Sequence, residues 1–446
     1  MNIVRLFFIF TLVLFLPHLG YSDELSDLKA QMQELKGSYE TKIKELESKI
    51  DALSQAQEKQ AVKTAENEKK IADSKINVDY VGRRHAPVGN GGLVVSQSSG
   101  FGNVSLGGYA DLQYFDFNNG KSAFEQQRWV ISVGAQPMER LRFNGEFELE
   151  DGGPNGGKDD GEASVEQAYM DYLISDLVNI RAGALLVPFG RYNLVHDSDI
   201  QELTDRPIVD RQIIPTTWTE AGAGVHGKIN PVIGNYDKLE AGYELYVVNG
   251  LDTGFSDTGL RSARGSLKMD NNQNKAVIGR LNVSPFLGQE VGLSGYFGKY
   301  DTVGNDITGT ALDWLSNLGP VKWSGEYAYF GVEQPNDGTE VPNFLQGGYT
   351  RLTYDFWFKE LNNTFLGRSF ENPKFALIGQ VDWAAIADDS DADQGNNIEH
   401  RYTIGLNYRP VENFVWKLEY QWNHTKNETI ERGNSHGIVT SVAMGF

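Results

Sequence analysis

The chain of 446 residues contains no cysteine, which excludes a disulfide-stapled secreted domain and suits a protein that crosses an oxidising periplasm unfolded. A clustered basic face is also missing. With 40 Lys and Arg against 60 Asp and Glu and a formal charge of −20, the balance argues against nucleic acid as a partner, because phosphate neutralisation needs such a face. No apolar run after the N-terminus is long enough for a membrane-spanning helix. What the chain does have is 49 glycines and 11% aromatic residues, a composition that does not read as disordered.

Residues 1–22 read as a signal peptide. Arg5 supplies the positive start, Leu6 to Leu16 the apolar stretch, and Gly20 and Ser22 put small residues at −3 and −1 of a cut after Ser22. Residues 23–75 read as a charged helix without proline, interrupted only by Gly37. Leu25, Leu28, Met32, Leu35 and Tyr39 keep a three-four spacing that Ile43, Leu46, Ile50 and Leu53 resume after one extra step of four. So narrow a stripe needs a partner helix, and a periplasmic coiled coil is expected. The glycine- and serine-rich stretch 76–102 reads as a linker.

From residue 103 to 446 the pattern changes to segments of about ten residues with period-two alternation. Leu141, Phe143, Gly145, Phe147 and Leu149 interleave with Arg142, Asn144, Glu146, Glu148 and Glu150, and Phe414, Trp416, Leu418, Tyr420 and Trp422 with Lys417, Glu419, Gln421 and Asn423. One face suits lipid and the other water. Aromatic residues toward segment ends, such as Trp323, Tyr327 and Tyr329, fit interfacial girdles. Sixteen segments begin near Asn103, Phe124, Leu141, Ala163, Val178, Trp218, Lys238, Ala276, Glu290, Gly309, Val321, Asn343, Lys374, Glu399, Phe414 and Ser435. The expected fold is all-β, a transmembrane antiparallel β-barrel of about 16 strands after an N-terminal α-helical coiled coil. Tight joints alternate with long polar ones, as periplasmic turns alternate with extracellular loops. The joint 358–373 is long and falls on the short side.

Between two alternating segments, residues 187–229 include the longest charged stretch without alternation. Its middle, 189–217, reads as a loop folded into the lumen, with Arg191, Asp197, Asp199, Glu202, Asp205, Arg206, Asp210 and Arg211 at a pore constriction. A mobile surface lid is the alternative. On the wall, Arg128, Arg142, Arg181, Lys228 and Arg280 are expected to face water opposite Glu146, Glu148, Glu240 and Glu244. Such opposed charges set up a transverse field, or else pair between neighbouring strands.

The remaining clusters carry less. Asp388, Asp389, Asp391, Asp393 and Gly395 approach a calcium-loop spacing, but the glycine comes one place late and His400 stands where a bidentate Glu is needed. With Asp159, Asp160 and Glu162 these acids suit outer loops, where divalent ions bridge them to lipopolysaccharide phosphates. The histidines show no paired metal spacing and no local Ser, His and acid motif occurs. Neither a catalytic group, a metal nor a cofactor is expected.

The signal peptide, the helical arm, sixteen segments, the VPFGRYNL stretch at 187–194 followed by DRPIVD at 205–210, and the final Phe446 together resemble the phosphate-selective porin O and P family. The resemblance implies a trimeric outer-membrane channel of a Gram-negative bacterium, set in lipid and lipopolysaccharide, whose third long loop folds inward while wall Arg and Lys guide anions. The expected function is passive diffusion of small hydrophilic solutes or ions. A plugged barrel that anchors the outer membrane to the cell wall through the arm is the rival, and a barrel enzyme is third. Three Arg against five acids in the loop predict weak cation preference or little selectivity, against the phosphate uptake that the family name suggests.

Overall fold

The structure, a computed structural model, describes residues 23–73, 76–83, 89–97, 102–154, 156–157, 161–230, 239–254, 256, 258–270, 272–336, 341–387, 397–425 and 434–446. The proposed signal peptide and the acidic run at Asp388 to Gly395 lie outside the described residues.

Helix α1 (Asp23–Asp73) is 51 residues long and belongs to a unit separate from the rest of the chain. Its Glu, Lys, Gln and Ala content favours helix, and i,i+4 pairs such as Lys49–Glu45 at 2.8 Å add a few tenths of a kcal/mol each, at about 0.3–0.5. The stripe of Leu28, Met32, Leu35, Tyr39, Ile43, Leu46, Ile50 and Leu53 is exposed along it.

Residues 76–102 are not a plain linker. Strand β1 (Ile76–Val81) pairs antiparallel with β2 (Gly92–Gln97), from Ile76↔Gln97 to Val81↔Gly92. The glycines read as linker punctuation include the turn residues Gly89 and Gly91, both with positive φ.

The remaining strands are β3 (Asn103–Phe117), β4 (Ala123–Met138), β5 (Leu141–Glu150), β6 (Glu162–Leu173), β7 (Asn179–Leu186), β8 (Thr219–Ile229), β9 (Glu240–Val248) and β10 (Ala276–Ser284). They continue with β11 (Gln289–Lys299), β12 (Asp306–Leu318), β13 (Val321–Val332), β14 (Phe344–Phe356), β15 (Lys374–Ala387), β16 (Asn397–Val411), β17 (Phe414–Thr425) and β18 (Ser435–Gly445). Every sequence-predicted start lies within three residues of an observed one. Each of these strands pairs antiparallel with the next, and β18 returns to β3 from Gly437↔Phe117 to Gly445↔Tyr109, closing a sixteen-strand barrel. Phe446 completes the seam, its N–H donating to Gly108 O at 2.8 Å. The first residues of β3 lie beyond the reach of β18 and pair with β2 instead, Leu93↔Leu106 to Val95↔Val104.

Alternation holds in the expected register. Trp416, Leu418 and Trp422 are exposed on the outer face, whereas Lys417, Glu419 and Gln421 are buried inside. The long joint at 358–373 holds a short 3-10 turn, Lys359–Asn363, and Tyr408 donates its hydroxyl to Leu366 O. Strand order runs through it unbroken, so the count of sixteen stands.

Candidate functional site

The chain leaves β7 at Leu186 and returns in β8 at Thr219, and between them it folds into the barrel. Three kinds of contact hold it there. First, Asn193 cinches the loop's two ends: its side-chain amide donates to Val187 O at 2.9 Å and Trp218 O at 3.1 Å, and its Oδ1 accepts the Trp218 N–H at 2.8 Å. Second, Glu326 on β13 accepts the N–H groups of Arg191 and Tyr192 at 2.9 and 3.0 Å. Gly190 permits this approach, because its φ is +73° and a Cβ there would fall 1.9 Å from Glu326 Oε1. Third, Phe189, Ile208, Val209, Ile213, Ile214 and Trp218 bury their side chains against inward apolar residues of β9 to β15. The Phe189 ring centroid lies 4.9 Å from that of Phe330 and 6.0 Å from that of Trp218, which in turn lies 5.4 Å from Tyr296. Fully burying side chains of this size stabilises by about 1.5–3 kcal/mol each.

The middle of the loop is held differently, by wall side chains donating to its backbone. Lys417 donates to Ser198 O and Leu203 O at 2.9 and 3.1 Å, and Arg409 to Asp199 O and Gln201 O at 2.6 and 2.9 Å. Asn407 donates to Glu202 O at 2.7 Å, and Glu419 accepts the Thr204 N–H. The small helix α2 (Ile208–Gln212) follows, its first N–H directed at Asp382 Oδ1, 3.2 Å away.

The residues expected at a constriction therefore have individual surroundings. Arg191 meets Glu326 through its backbone. Asp197 accepts from Arg83, whose other terminal nitrogen lies 3.6 Å from Asp199. Glu202 lies 2.6 Å from Lys322 and 3.6 Å from Arg409. Burial alone would raise its pKa, but Arg409 and Lys322 outweigh burial and lower it to about 2. Asp205 lies 3.4 Å from Arg401 and accepts from Gln421 at 2.8 Å. Burial raises the pKa of Asp210 well above the usual carboxylate range, and nearby Glu326 and Asp382 push it further, which favours its neutral form. Arg206 donates to neutral oxygens, Thr216 O at 2.5 Å and Thr217 Oγ1 at 3.3 Å. Arg206 and Arg211 line a cavity of about 680 Å³ on the long-loop side of the barrel, together with Arg128 and Arg261.

On the wall, Arg128 pairs with Glu148 and Glu150 at 3.0 and 2.6 Å, and Arg280 pairs with Asp313. Glu146 accepts from Asn90 and Gln167. Arg181 pairs with Asp171 at 2.7 Å, and with Arg142 and Lys228 it lines a second cavity, about 690 Å³, on the short-turn side. Glu244 stands opposite Arg280 and His226 in the ladder, and Glu240 is exposed at the start of β9.

Three features are invisible to period-two reading. Part of the lumen is apolar, because inward positions such as Tyr246, Ile278, Tyr296, Phe330 and Leu345 are apolar on strands whose outward positions are apolar too. The supposed linker supplies Arg83. The loop after β9 supplies Arg261 and Arg264, which donate to Thr216 O and Thr217 O at 2.7 Å each. Sequence offered one clue to the first feature, the apolar PIVDRQII run at 207–214 inside a loop predicted to be wet. Spacing along the sequence also hides the approach of Glu166 on β6 to His196 and Asp197 of the loop.

A closed sixteen-strand barrel with an apolar outer belt, a charged lumen and an inward loop defines a porin-type outer-membrane channel. The chain belongs to the phosphate-selective porin O and P family, whose model matches residues 103–314 and 308–446. An uncharacterized protein of Aquifex aeolicus is 37% identical over 150 residues, 33% of this chain, and the match spans about a third of that relative's length, 32%. Among solved structures, Salmonella typhi OmpF in complex with daunomycin aligns with a TM-score of 0.52 at 14% identity, over 77% of this chain and 98% of that one. An anion-selective porin from Comamonas acidovorans aligns at 0.45 and 13%, over 77% and 99%. The former likeness is one of fold. The protein is an outer-membrane porin.

Proposed function

We propose that this porin passes small hydrophilic solutes passively and prefers anions weakly. One observation carries the reading: Asp197 of the loop is engaged by Arg83, and Glu202 and Asp205 by Lys322 and Arg401 of the wall, while Arg206, Arg211 and Arg261 line the loop-side cavity. The acid excess counted along the sequence thus has little field left for mobile ions. Asp151, at the same cavity, has its pKa raised to about 7, by burial first and then by a hydrogen bond with Glu125, so it carries only part of a charge near neutral pH. Within a Debye length of about 8 Å at physiological salt, an entering ion meets Lys121, Arg128, Arg206, Arg211 and Arg261 against Glu125, Glu150, Asp151 and Asp205, a small excess of positive charge. This departs from the weak cation preference that residue counting predicts. Family membership favours a channel over an enzyme, and the plugged anchor is the rival to be excluded by measurement.

The test is the zero-current potential of the channel in a planar bilayer under a KCl gradient. We expect modest chloride preference that Arg206→Gln with Arg261→Gln shifts toward potassium. Potassium preference in the wild type, or no conductance at all, would sink the reading.

The same proposal places the barrel in outer-membrane lipid and lipopolysaccharide as a homotrimer, with α1 in the periplasm as a coiled coil after removal of residues 1–22. Support comes from the uncovered stripe at Leu28, Leu35, Leu46 and Leu53, which a parallel copy would bury. A peptide of residues 23–75 that stays monomeric by sedimentation at high concentration would leave α1 as an arm toward the cell wall instead.

A further inference from the structure

Glu166 occupies an irregular place in the sheet. The β5–β6 ladder steps from Glu146↔Gln167 to Phe147↔Val165, so Glu166 is the extra residue of a bulge. A bulge of this kind re-aims a side chain, and here the Glu166 carboxylate reaches the loop, 2% exposed. Opposite it stand His196 and Asp197, 3% and 7% exposed.

The hydrogen bonding fixes the state of the ring. His196 Nδ1 lies 2.9 Å from Asn193 O, which can only accept, so Nδ1 carries a proton. In the neutral ring the lone pair is then on Nε2, which points at Glu166 Oε1 at 3.0 Å and has Asp197 Oδ1 at 3.9 Å. A lone pair facing two carboxylate oxygens is repulsive unless a positive centre lies between them. A second observation is independent of this arrangement. Glu166 Oε2 is buried and meets no N–H or hydroxyl donor, a costly state for a carboxylate oxygen, and the Glu148 carboxyl beside Glu166 can supply one only when it is protonated. The other oxygens of the pair are engaged: Glu166 Oε1 accepts from Thr217 Oγ1 at 3.0 Å, and Asp197 Oδ2 from Arg83.

We propose that Glu166, His196 and Asp197 hold one divalent transition-metal ion inside the lumen. His196 Nε2 lies 3.0 Å from Glu166 Oε1 and 3.9 Å from Asp197 Oδ1, separations that one ion can bridge at about 2.0–2.2 Å from each of its nitrogen and oxygen ligands. One imidazole and two carboxylates suit Zn²⁺ and its neighbours rather than a soft thiolate-seeking ion. Metal-bound histidines typically donate their other ring N–H to a carbonyl or carboxylate, as His196 does to Asn193 O, and ligating carboxylates are themselves hydrogen-bonded, as Glu166 is by Thr217. The ion also ties the loop to β6, which the loop otherwise meets through Thr217 and the apolar cluster around Tyr169. A proton on Nε2 supplies the same sign of charge, and it is the alternative that the experiment separates.

The test uses the full chain, folded in detergent and treated with a chelator that is then removed, with Zn²⁺ as the probe in calorimetry. Wild type should take up one ion per chain, and Glu166→Gln and His196→Gln should each weaken binding at least about tenfold. His226→Gln, beside Asp171 on another part of the wall, should bind as wild type does. Should Glu166→Gln fail to fold, Co²⁺ titration of the wild type and of His196→Gln gives a second readout, because a His-ligated Co²⁺ absorbs in the visible and loss of the ligand changes the spectrum. Absence of uptake by the wild type, or binding unaltered by both substitutions, overturns the proposal and leaves the proton as the positive centre.

Discussion

The two sides of the lumen hold the same loop by opposite means. On β9 to β15 apolar inward residues such as Tyr246, Ile278, Tyr296, Phe330 and Leu345 stand among charged ones, and Phe189, Ile213, Ile214 and Trp218 pack on the apolar set. On β16 and β17 most inward residues are polar or charged, and Arg409, Lys417 and Asn407 grip the loop's backbone carbonyls. Apolar packing fixes where the loop enters and leaves, because it is undirected and proportional to buried area. Hydrogen bonds fix the course of its middle, because they are directional and must satisfy backbone groups that water cannot reach. The apolar side therefore should govern stability, and the charged side should govern sensitivity to pH and ions.

Breaking the apolar side should have the largest effect. Trp218→Ala removes the fully buried indole between Phe189 and Tyr296 and should cost about 3–5 kcal/mol, read from urea unfolding in detergent. A loss under about 1 kcal/mol would mean that the packing does not anchor the loop.

A smaller effect sharpens the contrast between lumen and lipid. Leu418→Arg on the outer face of β17 should cost about 2–4 kcal/mol near the bilayer midplane. Lys228→Gln, exposed on the wall of the turn-side cavity, should stay within about 0.5 kcal/mol. Equal costs, measured by unfolding in lipid bilayers, would show that inside and outside are reversed.

The smallest effect tests the charged side through pH. Glu202 has its pKa lowered to about 2, below the ordinary value of about 4.3. A depressed carboxyl contributes stability that is present above its unfolded pKa and is lost as pH falls through its folded pKa. Glu202→Gln should cost about 1–3 kcal/mol at pH 7. That gap between wild type and variant should narrow as pH drops from about 5 toward 2. A gap that does not change with pH would detach Glu202 from Lys322 and Arg409.

Much of the barrel was legible from alternation, because lipid on one face and water on the other impose opposite chemistries on successive residues. Sixteen starts, the outward Trp416 and Leu418 and the inward Lys417 and Glu419 all followed from that single rule. Where both faces are apolar, as at Ile278 and Phe330, the rule says nothing about what covers the inner one.

By itself the sequence determined the strand number, the register and the site of the long loop, since each depends on local period and length. Only the tertiary structure decided which charges meet. Glu202 finds Lys322 and Arg409, Asp197 finds Arg83 from a stretch that reads as linker, and Glu166 finds His196 across a bulge. Charge counts along a chain carry no information on such partners, because closing a barrel sets residues far apart in sequence within a few ångströms, and at that range a pair cancels the field that each member would otherwise project.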